Sequence, residues 1–535
     1  MDESLATVLE VVADARPDRL AVSHGDRRRT WAELDERADR LAGHLAGAGI
    51  GAGDRVAIGL WNGIEYLETV LAVLKLRAVP LNVNYRYRRE ELVALLGAAG
   101  ARGLVLDAAL AERVDAARPD LPQLQVLVQV GGDADGYAAA VTADRHPRQE
   151  RGDDEWLMYT GGTTGRPKGV LARHSWLFDT CCRNGLVLLG RGIPADLAGL
   201  RAELARVEGT DPMVCLPAPP LMHSTGMYTT LGALLAGGRV VYLVGHSYDP
   251  AELAATIGRE QVDTVSVVGD VFARPLVAEL DLAAAAGRPY PLDSLRRVLS
   301  VGVAWSADVK ERLLAHADVV CRDLVAASEG GPFAVAETRR GEVASTTRFR
   351  LLPGARVLTA EGQDVVPGSG EVGRLAAPAD PHIRYVDDAA ATAATFPTWG
   401  GVRWVVPGDL AEVEPDGGVL FHGRGSRVIN TGGEKVFAEE VEQLLLTHPD
   451  VLDALVVGAP DPRWGARVAA VVQLRPGADL DTAAAADFVG ATLADHKRPR
   501  SLVVVPEVRR SPSGKADLRW ARELVGDRAP DQHLG

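Results

Sequence analysis

The chain has 535 residues, more than one hydrophobic core accommodates, so several subdomains are expected. With 47% hydrophobic and 24% charged residues, it has the composition of an ordinary globular protein and not of a disordered or fibrous one. A net charge of −14 without any lysine/arginine run argues against nucleic acid or anionic membranes as partners, so a polyanionic ligand must be held by a local site.

The N-terminal stretch Met1-Asp2-Glu3-Ser4 is acidic and lacks the basic flank of a signal peptide. No apolar run approaches the ~20 residues of a membrane span, so a cytoplasmic protein is expected. Thr30-Trp31-Ala32-Glu33 reads as a capping box, followed by Leu34, Ala38, Leu41 and Leu45 at helical spacing. Arg55–Leu60 then reads as a buried strand, Ile64–Leu76 as a helix and Arg102–Leu106 as a second strand. This alternation predicts an α/β protein with mostly parallel sheets. Cys181, Cys182, Cys215 and Cys321 lack metal-ligand spacing and are expected to be reduced thiols.

The sharpest local signal is Tyr159-Thr160-Gly161-Gly162-Thr163-Thr164-Gly165-Arg166-Pro167-Lys168-Gly169, directly after the strand-like Trp156-Leu157-Met158. Glycines let backbone N–H groups approach an anion, threonine hydroxyls add donors, and Lys168 adds a positive charge. The loop is not a Walker A motif, because Lys168 is followed by Gly169 where Ser or Thr is required.

Further along, Asp249-Pro250-Ala251-Glu252 reads as a helix start, and Thr264–Gly269 and Arg297–Val301 read as strands. Between Leu352 and Leu420 helical periodicity fades into short strands with Gly/Pro turns, which predicts a small β-rich subdomain. After Arg424 a tail carries its own helix (Glu439–Leu446) and strands (Ala454–Val457, Val468–Leu474), so a domain boundary is placed at Gly423–Ser426.

The Thr160–Gly169 loop resembles the phosphate loop of the adenylate-forming superfamily: acyl-CoA synthetases, peptide-synthetase adenylation domains and beetle luciferases. Thr30-Trp31-Ala32-Glu33-Leu34 and Pro80-Leu81-Asn82 are also similar to the acyl-CoA synthetases of that family. The resemblance covers nearly the whole chain. It implies a large N-terminal domain of αβαβα layers over residues 1–423, with the β subdomain from about 350. A small mobile α+β domain over 424–535 is implied as well. It further implies ATP, Mg²⁺ and CoA as the small molecules handled, with acyl adenylation followed by thioester formation. Oligomeric state does not follow from it, and a homodimer is compatible with it.

Residue by residue, the resemblance assigns Thr160, Gly161, Gly162, Thr163, Thr164 and Gly165 to phosphate binding, with Lys168 as a catalytic cation. Val325-Ala326-Ala327-Ser328-Glu329 stands where the family has Tyr-Gly-x-Thr-Glu. Glu329 and Thr164 would therefore hold Mg²⁺, and the other four residues would contact the nucleotide together with Gly302 and Val303. Val325 replaces the aromatic that stacks on adenine. In Trp404-Val405-Val406-Pro407-Gly408-Asp409, Pro407 replaces a threonine and Asp409 would accept from the ribose hydroxyls.

His422-Gly423-Arg424-Gly425-Ser426 resembles the hinge, with Arg424 on the nucleotide and Ser426 as pivot. Gly432, Gly433 and Glu434 fall on the pantetheine tunnel. Ser511-Pro512-Ser513-Gly514-Lys515 resembles the loop of the adenylation lysine, so Lys515 would bridge the carboxylate and the α-phosphate.

Pro219–Gly226 resembles the acyl-tunnel border, with His223 as the gate and a catalytic candidate. Val268, Gly269, Val301, Gly302 and Trp305 complete the candidate acyl pocket. The stretches Val267–Leu276 and Ser300–Trp305 look closer to actinobacterial ligases for steroid side-chain acids, so a bulky terpenoid or steroid acid is expected, with long-chain fatty acid next. Two alternatives stay open: an adenylation enzyme loading a carrier protein, and a degenerate, non-adenylating homologue.

Overall fold

The capping box forms as read: the Thr30 hydroxyl accepts from the Glu33 N–H, and the Glu33 carboxylate accepts from the Thr30 N–H. It starts the helix Trp31–Gly47, whose Leu34, Ala38, Leu41 and Leu45 are buried as one stripe. Each such leucine contributes about 1.5–3 kcal/mol by leaving water. The structure, a computed structural model, describes residues 3–160, 168–431, 434–461, 464–512 and 514–526.

The chain divides into two compact units. The first runs to Gly331 and includes Glu337–Ala344 and Ala379–Phe396. The second takes Pro332–Ala336, Ser345–Pro378 and the chain from Pro397 onward. The expected boundary at Gly423–Ser426 lies inside the second unit, where the β subdomain and the C-terminal tail fall together.

In the first unit, the parallel strands Val320–Ala327, Arg297–Val301, Thr264–Val267, Val214–Pro217, Arg239–Tyr242 and Leu20–His24 lie side by side in that order. Arg27–Thr30 closes that edge as a hairpin. A second, seven-stranded sheet has the order Arg384–Tyr385, Lys168–Arg173, Glu155–Thr160, Val79–Asn82, Arg55–Gly59, Gly103–Asp107, Val126–Val130. Its first pairings are antiparallel and the rest parallel.

Alternation along the strands assigns their two faces. Val56 and Ile58 join one core, with the helices Leu5–Ala15, Trp31–Gly47, Ile64–Lys75, His174–Asn184 and Ser224–Leu235. Ala57 faces the opposite core, under Arg89–Ala99 and Ala111–Ala117. In the other sheet, Cys215 joins the central helices, while Val214 and Leu216 pack on Pro250–Glu260, Gly269–Ala285 and Ala307–His316. The result is the expected αβαβα layering. The predicted strand Thr264–Gly269 ends two residues early, because Gly269 opens a helix.

Lys75 lies at the end of the helix Ile64–Lys75, 2% exposed, with its ammonium 3.0, 2.7 and 2.6 Å from Glu10, Asp35 and Asp39. Among the described residues those three acids form the one carboxylate cluster tight enough to share a cation, and Lys75 is that cation. Arg151 backs Glu10, Arg148 backs Asp35 and Arg145 backs Asp39. Four buried cysteines carry no disulfide. Burial lowers the His174 imidazole to about 4; it accepts from the Leu5 N–H and is a neutral core residue.

In the second unit, antiparallel strands Arg348–Leu351, Val419–Arg424, Asp409–Val413, Gly373–Pro378 and Val402–Val405 follow one another. The tail holds the hairpin Val428–Thr431/Glu434–Phe437, the helix Ala438–Leu446 and a sheet of Val451–Asp461, Gly465–Leu474 and Ser501–Val505. No helix among the described residues is long and apolar enough to cross a membrane.

Candidate functional site

In α/β sheets, ligands bind beyond the carboxyl ends of parallel strands. The candidate residues of the first unit collect there. Val301 pairs with Leu324, so Gly302 and Val303 leave one strand beside Val325 and Ala326 on the next. The strand Val214–Pro217 leads into the His223 loop, and Thr264–Val267 leads into Val268 and Gly269. In the second sheet Thr160 ends its strand and pairs with Lys168, the first residue of the antiparallel partner. Gly161, Gly162, Thr163, Thr164 and Gly165 lie outside the described residues.

Glu329 follows the strand Val320–Ala327 in a turn with Ser328. The Tyr385 hydroxyl donates to Glu329 Oε1 at 2.6 Å, and the Lys168 ammonium sits 5.0 Å from the centroid of the same ring. Asp388 Oδ2 is 4.0 Å from Lys168 Nζ. A cation and a carboxylate thus share one aromatic residue. The hard carboxylate oxygens of Glu329 suit Mg²⁺, which takes one or two protein carboxylates and completes its shell with phosphate and water oxygens.

Asparagines fasten the neighbouring loop. Asn82 Oδ1 accepts from the Tyr159 N–H at 2.7 Å, and its Nδ2 donates to the Tyr159 carbonyl at 2.8 Å and the Met222 carbonyl at 2.7 Å. The side chain extends the strand pairing toward the phosphate loop and ties it to the residue before His223. Asn62 clamps the other end, donating to the Pro219 carbonyl and accepting from the Leu221 N–H.

Half-buried His223 is the N-cap of the helix Ser224–Leu235. Gly226 is needed in its first turn, where a Cβ would stand 2.6 Å from the Pro220 carbonyl oxygen. Ser224 and Ser328 exchange a hydroxyl hydrogen bond at 3.1 Å, joining the His223 loop to the Glu329 turn. Asn82→Ala is expected to cost about 2–3 kcal/mol, because buried backbone groups lose their partners. Denaturant unfolding checks this; an unchanged midpoint contradicts the clamp.

Gly269 sits at φ +49, its N–H donating to Ser300 Oγ, where a Cβ would meet the Ala304 carbonyl at 2.3 Å. Val268, Gly269, Val301 and Gly302 are therefore brought together. Trp305 is 0% exposed and packs in the same core as Val268, under the outer helices, with Lys310 over its ring. Behind it Asp323 pairs with Lys310 at 3.2 Å; burial raises its carboxyl to about 6.

In the second unit Asp409 and Arg424 are cross-strand partners, with Nε 3.5 Å from Oδ1. Arg424 leads into a short 3-10 turn at Gly425–Arg427 that contains Ser426, whose side chain lies outside the described residues. Arg427 pairs with Glu439 and Glu442. Burial raises the Glu439 carboxyl to about 7 against the pull of Arg427. Gly432 and Gly433 lie outside the described residues, and exposed Glu434 starts the strand after them.

Lys515 is exposed at the end of a closed turn. Its N–H donates to Ser511 Oγ, and the Ser511 N–H donates to the Lys515 carbonyl. Arg510 holds the Gly514 carbonyl and is itself fixed by Asp453 at 2.7 Å.

Sequence reading did not single out Tyr385 or Asp388, which lie on a distant segment without local pattern. Asn82 was quoted for resemblance only; a polar residue ending a buried strand is the signal that could have flagged it.

The sequence profile described as AMP-binding enzyme matches residues 9–377, and that of the AMP-binding enzyme C-terminal domain matches residues 440–515. A medium/long-chain-fatty-acid–CoA/3-oxocholest-4-en-26-oate–CoA ligase of Mycobacterium tuberculosis is 38% identical, over 99% of this chain and 98% of its own. A 3-oxocholest-4-en-26-oate–CoA ligase of Rhodococcus rhodochrous is 35% identical, over 99% and 97%. The solved anthranilate CoA ligase AuaEII, in complex with anthranoyl-AMP, superposes with a TM-score of 0.83 at 22% identity, covering 98% of each chain.

Proposed function

This chain belongs to the AMP-binding enzyme family, and from that premise we propose that it is an ATP-dependent, AMP-forming carboxylic acid–CoA ligase. The acid is a bulky hydrophobic one, a steroid side-chain acid or a medium- to long-chain fatty acid. What carries the reading is full-length similarity to ligases of that description, together with the Lys168–Tyr385–Glu329 array at the strand ends.

A carboxylate is a poor electrophile at neutral pH. Its oxygen attacks the α-phosphorus of ATP, pyrophosphate leaves, and a mixed anhydride results. Positioning and charge stabilisation supply most of the catalysis. Lys168 and Lys515 provide positive charge, and Asp409 accepts from the ribose. Glu329 and Thr164 would hold Mg²⁺, which when bound neutralises phosphate charge. In the second step the CoA thiolate attacks the acyl carbonyl and AMP departs. We propose that the segment after Ser426 swivels between the steps, exchanging Lys515 for Gly432, Gly433 and Glu434. His223 is the proposed gate of the acyl pocket formed with Val268, Gly269, Val301, Gly302 and Trp305. Reduced, buried thiols suit a cytoplasmic setting.

Apolar pockets discriminate by only about 1–3 kcal/mol per methylene, so acceptance of several chain lengths is expected. The test incubates the full chain with ATP, Mg²⁺ and CoA against fatty, aryl, steroid and diterpenoid acids, with mass spectrometry of products. Acyl-CoA from steroid or long-chain acids supports the proposal. Acyl-AMP alone would point to a carrier-protein acceptor, and no product with any acid would overturn the reading.

A further inference from the structure

We infer that Tyr385 is a positioning residue that presents both charged groups of the phosphate site, Lys168 and Glu329, to the metal–nucleotide complex; this rests on the ligase reading above. The chain builds Tyr385 into this place deliberately. Tyr385 pairs antiparallel with Val170 and the Val386 N–H donates to the Gly169 carbonyl at 2.8 Å, so the segment is stitched beside Lys168 itself. The Tyr385 N–H donates to Thr392 Oγ1 at 3.1 Å, and its ring packs 6.1 Å from that of Phe396. The residue is 8% exposed, so its ring has little freedom to turn.

Each end of the side chain then has a task. The hydroxyl donates to Glu329 Oε1, which fixes the carboxylate's rotation and aims its remaining lone pairs. The ring offers the Lys168 ammonium an attractive but uncharged face. Lys168 and Glu329 have opposite charges, and a direct ion pair would turn both away from a ligand. Tyr385 gives each a neutral partner instead, so both keep their charge for phosphate and metal. Asp388 fits the same plan: its Oδ1 accepts from the Ala391 N–H as a helix cap, which leaves Oδ2 at 4.0 Å from Lys168, the outer limit of pairing.

The experiment uses the full chain, an ATP analogue with a methylene group between the α- and β-phosphates, and Mn²⁺ followed by electron paramagnetic resonance. In Tyr385→Phe, the Mn²⁺ concentration for half-saturation of the analogue complex is expected to rise about tenfold, as for other groups that orient a metal ligand. Analogue affinity without metal, and thioester formation from supplied acyl-adenylate, should stay at wild-type values. Tyr385→Leu removes the ring as well and should also weaken analogue binding without metal. In a Glu329→Gln background the Phe substitution should add nothing further. A Tyr385→Phe titration that overlays the wild type, or an equal loss in the Glu329→Gln background, overturns this inference and leaves the ligase reading standing. A wild-type chain that binds neither analogue nor Mn²⁺ overturns the ligase reading and this inference with it.

Discussion

Lys515→Ala is expected to slow acid-dependent acyl-adenylate formation by about 100- to 1000-fold, the usual loss when a preorganised charge-stabilising donor is removed. Supplied with ready-made acyl-adenylate, the same variant should form acyl-CoA at close to the wild-type rate. The asymmetry follows from the chemistry. In the first step the lysine neutralises charge between the carboxylate and the α-phosphate; by the second, when AMP departs with its own charge, the proposed swivel has carried Lys515 away. The local structure supports a residue held ready for that task, since its loop is closed by Ser511 backbone and side-chain bonds and braced by Arg510 on Asp453. The residue itself is exposed. Substitution should therefore leave thermal stability unchanged. Equal loss in both half-reactions would contradict the assignment.

Lys75→Met is expected to destabilise the protein by about 3 kcal/mol or more, because removing one partner leaves buried charge uncompensated. Glu10, Asp35 and Asp39 would face one another with only their arginines for relief. Burial alone would lower the Lys75 pKa, but Asp35, Glu10 and Asp39 outweigh it and hold the group above its ordinary value. Its folded pKa is thus raised, so this stabilisation is complete below the ordinary lysine pKa and is lost as pH rises through the folded value. At neutral pH the whole effect should be visible as a lower denaturation midpoint. A midpoint within error of wild type at pH 7 would contradict this account of the central helical layer.

Much of the first unit was legible because its signals are local. Thr30 and Glu33 are three residues apart and cap a helix by themselves, and Val56, Ala57 and Ile58 alternate between two cores as a buried strand must. Lys168 and Glu329 were found through motifs, and the fold brings them to one aromatic residue. Tyr385 itself was not legible, since the Arg384–Tyr385 strand returns to the first unit from far along the chain and only the sheet pairing shows where it lands.

Lys75 ends its helix, where a cation suits the helix dipole. Its true partners come from two other helices and are visible only in three dimensions. The surroundings of Trp305 are likewise visible only in three dimensions. Its segment follows a strand at the ligand-binding edge, yet the chain turns at Gly302 and buries the indole among the outer helices. The β strands before the Gly423–Ser426 boundary and the tail after it gather in one compact unit, while the two family profiles match 9–377 before it and 440–515 after it.

The most direct test of the central claim is the fate of ATP labelled at the α-phosphate, followed in the presence of a steroid or long-chain acid, first without and then with CoA. The account predicts acid-dependent acyl-AMP and pyrophosphate before CoA is added, then release of AMP with stoichiometric acyl-CoA afterwards. Formation of ADP and phosphate, or release of AMP without regard to the acid, would contradict it.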